Sequence, residues 1–249
     1  GYQRTQSTTS AGAYHFALPV GDYDLQVTMA GFAQHVQSVI QLNVSQTARI
    51  DIQLRVAKEK DTVSVTTEAA LVDAGSNVIG NVVTGTQLVE LPLNGRNVTE
   101  LIFLAGMANV SSGNMNSVRN YPTIIISVAG GLSNGTTYLL DGAVHNDVEN
   151  NLNLPLPFPD ALQEFKVETS ALPARYGYHA ASAVNLVTKS GSNQTHGDLF
   201  EFLRNYRFNA RNALAPARDS LNRNQFGGTL GAPIVKNKLH YFASYEYER

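Results

Sequence analysis

The chain has 249 residues, of which 43% are hydrophobic and 15% are charged, and its formal net charge is −2. This length suffices for one or two packed domains, and the nearly neutral charge lacks the basic stripe that nucleic-acid binding requires. The sequence has no cysteine, which excludes disulfides and thiolate metal sites. It also has no uninterrupted apolar run of about 18 residues, so it predicts no transmembrane helix.

Residues 1–57 show the pattern of short β-strands separated by turns. Residues 13–18 and 23–29 alternate apolar and polar side chains on either side of a Pro19-Val20-Gly21-Asp22 turn. Residues 50–54 alternate in the same way. The pattern predicts a small antiparallel β-sandwich.

A motif within this segment is similar to a known family. The stretch GAYHFALPVGDYDLQVTMAGF resembles carboxypeptidase regulatory-like domains, which show Gly-x-Tyr-x-Phe, Leu-Pro-x-Gly-x-Tyr, a strand and Gly-Phe. The resemblance covers about residues 1–56 and implies a β-sandwich without catalytic residues. The first strands usual in that family are missing, and the chain ends within a strand pattern. We therefore expect the chain to be part of a longer protein.

Residues 58–70 form a predicted linker that contains a further alternating stretch, DTVSVTTE at 61–68. Val63 and Val65 fall on one face of this stretch, and hydroxyl side chains fall on the other. From the residues alone it is the last strand of the preceding domain, a plain linker, or a free strand that pairs with another protein's sheet.

Residues 71–192 change in character to short helices, isolated strands and loops rich in Asn and Gly. Thr84 is predicted to cap one short helix. Asn97 is predicted to cap a second helix over 97–105, which ends at Gly106. Further elements are predicted as strands at 123–128, 137–140, 165–169 and 183–189, and as a short helix that starts at 159. The pattern predicts one compact α/β unit.

The remaining residues predict three consecutive strands, at 196–205, 224–234 and 239–248. A long polar loop over about 206–222 joins the first two, and a short turn at 235–238 joins the last two. Long loops on one side and tight turns on the other are typical of outer-membrane β-barrels.

Several longer motifs resemble one family of membrane proteins. PDALQEFKVETS (159–170) and SAVNLVTKSG (182–191) are similar to the end of the plug domain of TonB-dependent outer-membrane transporters. Four further segments resemble the Oar-like branch of that family. They are LPLNGRNVTELIFLAGMANV, LLDGAVHND, THGDLFEFLRN and NQFGGTLGAPIVKNKLHYFASYE.

This resemblance implies a mainly β fold with some α. In chain order we expect a small β-sandwich at 1–57, a linker at 58–70, an α/β plug domain at 71–192 and the first strands of a transmembrane β-barrel at 193–249.

The resemblance also implies a role for residues 61–67, which are similar to the TonB box, Asp/Glu-Thr-x-x-Val-Thr-Ala. The implied partner-binding residues are Asp61, Thr62, Val63, Ser64, Val65, Thr66 and Thr67, the last replacing the usual Ala. They would add a strand to a sheet of the periplasmic TonB protein. We expect this segment to be exposed and loosely tied to its neighbours, because a strand that is already paired cannot be donated.

Other chemical signals are weak. Residues 131–135 match the Gly-x-Ser-x-Gly motif of hydrolases, but the β pattern that follows predicts a hairpin loop. The six histidines lack metal-ligand spacing, and Asp141, Asp147 and Glu149 lack the spacing of a calcium loop. We therefore expect no enzymatic activity, no cofactor and no metal.

The favoured function is active uptake of an unidentified extracellular ligand across the outer membrane of a Gram-negative bacterium. The N-terminal domain would lie in the periplasm. The expected partners are the TonB periplasmic domain, outer-membrane lipid and the ligand, and not nucleic acid. The alternative is a surface adhesion or carbohydrate-binding protein, which would have no use for residues 61–67.

Overall fold

Strands dominate the computed structural model, which describes residues 3–56, 79–111, 124–170, 172–177, 179, 181–211, 213–218 and 220–249, and the backbone of 62–65. The strands are β1 (Gly21–Val27), β2 (Gln34–Leu42), β3 (Thr62–Val65), β4 (Ile79–Thr84), β5 (Ala108–Val110), β6 (Ile126–Val128), β7 (Thr136–Leu140), β8 (Ala143–Val144), β9 (Leu162–Ser170), β10 (Ser182–Thr188), β11 (His196–Asn205), β12 (Asn222–Val235) and β13 (Leu239–Glu248). The mainly β fold with some helix that the sequence predicts is confirmed.

The N-terminal sheet has the order β1-β2-β3, with β2 antiparallel to β1 and parallel to β3. Strand β2 was not predicted. Its register against β1 shifts between Tyr23 and Leu25, and Val39 has a φ of 62° there. Such a bulge interrupts the two-residue alternation that identifies a strand. Its exposed amide is satisfied, because Val39 N donates to Asp24 Oδ1 over 3.3 Å.

The strands predicted at 13–18 and 50–54 are wrong, since neither segment joins a sheet. Residues 13–18 do alternate in burial, with Tyr14, Phe16 and Leu18 turned away from solvent. The two segments also touch, because Tyr14 Oη donates to the carbonyl of Ile50 over 2.7 Å. The alternation therefore arises because one side of an extended chain is turned away from solvent, and not because the segment is hydrogen-bonded in a sheet.

The described residues between 79 and 189 form a central unit built on a five-stranded sheet with the order β4-β9-β10-β7-β8. Strands β7 and β10 are parallel, and the other neighbours are antiparallel. One face of this sheet forms the apolar core with the helices of the unit. The fully buried core side chains include Leu88, Leu101, Ile102, Leu162, Phe165, Val167, Val184 and Leu186.

The helix predicted at 97–105 is confirmed as a 3-10 helix, Val98–Ala105. Asn97 Oδ1 accepts a hydrogen bond from Thr99 N over 3.0 Å, and Gly106 ends the helix with a φ of 78°. A left-handed residue at this position favours glycine. Among the residues described, no helix combines the length and apolar character needed to cross a membrane.

The first predicted helix is present as α1 (Thr86–Glu90), but the prediction that Thr84 caps it is wrong. Gly85 occupies the N-cap position, and no side chain caps the helix. Thr84 still belongs to β4, where it pairs with Glu164. A residue held in a sheet ladder cannot also serve as the cap of the following helix.

Residues 131–135 connect β6 to β7, and so Ser133 lies in a turn between two strands. A nucleophile elbow requires a helix directly after the serine. The predicted loop is therefore confirmed, and the hydrolase interpretation of this motif is excluded.

The C-terminal sheet has the order β11-β12-β13, and every pairing is antiparallel. Its strands, long loop and short turn agree with the prediction. The register places Phe226 and Leu230 of β12 on the same face as Leu199 of β11 and Tyr245 of β13, and all four are exposed. We call this the outer face. The inner face carries polar and small residues on β12, among them Gln225, Gly227, Thr229 and Gly231, and the rings of Phe200 and Phe202 on β11.

Candidate functional site

The predicted partner-binding segment is partly paired in the structure. The backbone of Thr62–Val65 forms β3, which runs parallel to β2 with Thr62 opposite Gln34 and Val65 opposite Gln37. Asp61, Thr66 and Thr67 lie outside the described residues. The expectation that the segment is loosely tied to its neighbours is therefore wrong for 62–65. Without β3 the edge of β2 would leave backbone N–H and C=O groups unpaired. The nearby segment 62–65 forms hydrogen bonds with them.

A second site joins the central unit to the C-terminal sheet. Arg96 lies between α1 and the helix Val98–Ala105 and has a φ of 56°. Its guanidinium forms an ion pair with Asp160, and its Nε lies 3.5 Å from Oε1 of Glu246 on β13. Only 8% of the Arg96 side chain and 5% of the Asp160 side chain are exposed. Arg96 thus connects a carboxylate of its own unit with one on the inner face of the neighbouring sheet.

Aromatic rings complete the environment of Arg96. The Cζ atom lies 4.4 Å from the centroid of Phe200 and 4.5 Å from that of Phe202, both on β11. Burial lowers the pKa of Arg96, and the opposite charge of Glu246 raises it. Arginine nevertheless keeps its charge in proteins, so the rings face a cation.

The residues before Arg96 contact the same sheet. Gln225 Nε2 donates to the carbonyl of Gly95 over 3.0 Å, and Arg204 Nη1 donates to Asn94 Oδ1 over 2.7 Å. Gly95 has a φ of 65°, and a Cβ atom there would collide with the guanidinium of Arg223. Residues 94–96 therefore dock against the inner face of β11–β13, and the positive φ favours glycine at the centre of this contact.

The face of the central sheet opposite the apolar core is polar. Strand β9 places Glu164, Lys166 and Glu168 there, and all three are buried. Lys166 Nζ lies 2.9 Å from Glu168 Oε1. Burial raises the pKa of Glu164, while the backbone amide of Val44 and the charge of Lys166 lower it. We call these three residues the charged row.

Asp141 and Asp147, two of the acidic residues without calcium-loop spacing, accept hydrogen bonds from nearby backbone and hydroxyl groups. Asp141 accepts hydrogen bonds from the amide and hydroxyl of Thr188, over 2.8 Å and 2.9 Å. Asp147 Oδ1 accepts from the amide of Glu149 over 3.1 Å. Within the described ranges, no three His, Asp or Glu side chains come together as a metal site.

Sequence comparisons agree with this layout. The outer membrane beta barrel domain family matches residues 187–249, and the carboxypeptidase regulatory-like domain family matches residues 1–55. The chain is 27% identical over 98% of its length to the TonB-dependent transporter Oar of Myxococcus xanthus. It spans 24% of the length of that relative.

The chain is homologous to this TonB-dependent transporter over nearly its whole length. A solved structure supports the fold of this transporter homologue. The siderophore receptor PirA from Acinetobacter baumannii superimposes with a TM-score of 0.51, at 21% identity, over 68% of this chain and 24% of that receptor. The curated relative is a transporter rather than an enzyme, and the barrel family places its homologue here in the outer membrane of a Gram-negative bacterium.

Sequence reasoning included Arg96 in a family motif but assigned it no role. One signal was available, because Arg96 stands alone among apolar and amide side chains between two short helices of a chain with only 15% charged residues. An isolated charge in such a place needs a partner once it is buried. The sequence gives no sign of the contact between Val44 and the charged row, because Val44 contributes only backbone atoms.

Proposed function

We propose that this chain is the N-terminal part of a transporter that takes up an extracellular ligand across the outer membrane with energy supplied through TonB. The observation that carries the proposal is the attachment of the central unit, through Arg96, to the inner face of β11–β13. The outer face of the same sheet exposes Leu199, Leu230 and Tyr245. A mainly apolar outer face and an inner face in contact with a folded unit suit a plugged membrane barrel.

In this proposal residues 61–67 bind the periplasmic domain of TonB by strand addition. Strand β3 is the edge strand of the N-terminal sheet, so one side of its backbone pairs with β2 and the other side is open. In this proposal the segment exchanges β2 for the sheet of TonB. Such an exchange replaces one set of backbone hydrogen bonds by another, and its net cost is therefore small. The N-terminal sheet then acts as a holder for the segment between transport cycles.

Binding to TonB tests the proposal without knowledge of the ligand. The full-length protein is immobilised in detergent, and the purified periplasmic domain of TonB is passed over it. Val65→Pro removes a backbone donor and fixes φ, so we expect binding to be lost. Thr66→Ala keeps the backbone donor and serves as the matched control, for which binding should be retained.

Absence of TonB binding by the unmodified full-length protein would contradict the proposal. Surface binding of carbohydrate or host matrix by that same protein would then support the adhesion alternative.

A further inference from the structure

The charged row lies on a central strand, where burial of charge is costly. Glu164 and Glu168 are each 1% exposed and Lys166 is 8% exposed. Charged groups in such positions need both an opposite charge and hydrogen bonds. The single ammonium of Lys166 lies between two carboxylates, so the row needs further donors from outside β9.

One such donor, to Glu164, comes from the loop that follows β2. The amide of Val44 donates to Glu164 Oε1 over 2.9 Å, and Lys166 Nζ donates to the carbonyl of Val44 over 3.1 Å. The backbone N–H of Val44 thus bonds to the carboxylate of Glu164, and its carbonyl bonds to the ammonium of Lys166. Tyr176 Oη adds a contact to Ser45 Oγ over 3.3 Å and itself accepts from Asn185 Nδ2 over 3.1 Å.

The loop that makes these contacts has a defined shape. Asn43 N donates to Gln46 Oε1 over 2.9 Å, and Gln46 N donates to the Asn43 carbonyl over 3.2 Å. Ser45 has a φ of 55°, which turns the chain so that Val44 points its backbone toward β9. This loop begins directly after β2 ends at Leu42, so the strand that carries β3 also positions Val44.

We propose that residues 43–46 are a docking loop, which fastens the N-terminal sheet to the charged row of the central unit and has to leave before that row can be reached from solvent. The partner of the charged row is therefore a backbone peptide of the same chain, selected by one carboxylate and one ammonium. The role of release during transport rests on the proposed function, since withdrawal of β3 by TonB would act on the strand that holds the docking loop.

Cysteine labelling tests docking in the full-length protein, in a cysteine-free background. Val44→Cys keeps both backbone contacts and places a thiol within the docking loop. We expect slow reaction of this thiol with a membrane-impermeant maleimide in the purified protein. Adding Glu164→Ala or Lys166→Met should raise the labelling rate about tenfold or more, which corresponds to about 1.4 kcal/mol. Glu164→Gln keeps an acceptor oxygen and should raise the rate less.

A second pair of variants leaves the central unit unchanged and so avoids the question of its folding. Ser45→Pro forbids the positive φ of the loop, and Ser45→Gly permits it. We expect fast labelling of Val44→Cys in the Pro variant and slow labelling in the Gly variant. Equal rates in this pair, together with no increase in Glu164→Ala, would overturn the docking loop.

Labelling in cells separates this inference from the proposed function. With both correct, Val44→Cys reacts faster in cells with TonB than in cells without it. If the purified variants behave as expected but TonB changes nothing in cells, docking stands and TonB-driven release is refuted. If the purified variants do not differ, the docking loop is refuted whatever TonB does.

Discussion

The guanidinium of Arg96 stacks on the ring of Phe200, with 4.4 Å between Cζ and the ring centroid. Asp160 pairs with the same guanidinium, so one side chain combines an ion pair within the central unit with a cation–π contact to the C-terminal sheet. Both partners of the ion pair are almost fully buried. Removal of the cation therefore leaves a buried carboxylate without its charge partner.

Arg96→Met should lower the free energy of unfolding of the central unit by about 3–5 kcal/mol, because Asp160 then loses its charge partner. Denaturant titration of the full-length protein, followed by a fluorophore on the central unit, measures this. Arg218→Met is the control, since Arg218 is exposed and its loss should change stability by less than about 0.5 kcal/mol. Equal effects of the two substitutions would contradict the assigned role of Arg96.

Asn97→Ala should destabilise the central unit by about 1 kcal/mol, since Asn97 Oδ1 caps the helix Val98–Ala105. Asn97→Ser supplies another capping oxygen and should preserve most of the stability. Thermal melting of the full-length protein compares the two. A loss of stability in the Ser variant as large as in the Ala variant would show that the cap is not the cause.

The free energy of unfolding should depend on pH through Glu164. Burial holds the pKa of this carboxyl above its usual range. A raised pKa in the folded state stabilises the fold at pH values below the ordinary carboxyl pKa of about 4.3. That contribution disappears as the pH rises through the higher pKa of the folded state.

Compared with Glu164→Gln, the unmodified protein should therefore lose stability as the pH rises from about 4 toward neutrality. Denaturant titrations of both proteins at a series of pH values measure the difference. Lys166 and the amide of Val44 oppose the shift, so a difference that runs in the reverse direction would mean that they outweigh burial.

Leu230→Lys should impair insertion of the full-length protein into lipid vesicles, because Leu230 lies on the outer face of β12 and is 45% exposed. A lysine near the middle of the bilayer costs about 2–4 kcal/mol in a barrel. Ser244→Lys is the matched control, since Ser244 is exposed on the inner face of β13. The folded fraction, measured by heat-modifiable gel mobility, should fall only for Leu230→Lys.

Local patterns in the sequence were sufficient to predict many of the helices and strands. The last two C-terminal strands were predictable because apolar or small side chains alternate along most of each and a short turn separates them. The helix at 98–105 was predictable because Asn97 and Gly106 carry the signals of its two ends. Strand β2 was missed, since the bulge at Val39 breaks its alternation. The cap assigned to Thr84 failed because a sheet ladder took precedence over a local preference.

The contacts of the candidate sites were less predictable, because they join residues far apart in the chain. Arg96 and Asp160 are 64 positions apart, and Val44 and Glu164 are 120 positions apart. A charged residue among apolar neighbours in the sequence indicates that a charge partner is needed once it is buried. The packing of the units decides which residue becomes that partner. The pairing of 62–65 with β2 is similar, since an alternating strand carries no information about which edge it joins.

The central unit is attached to the C-terminal sheet around Arg96 and to the docking loop around Val44, and the two attachments are chemically alike. Aromatic rings take part only where Phe200 contacts Phe158 and where Phe200 and Phe202 face the Arg96 guanidinium. The other contacts of the two attachments are made by charges and hydrogen-bonding groups. Groups of this kind are hydrated again when they separate, so the apolar surface that is uncovered is confined mainly to these rings. Separation of units attached in this way would add little exposed apolar surface, and so little tendency to aggregate.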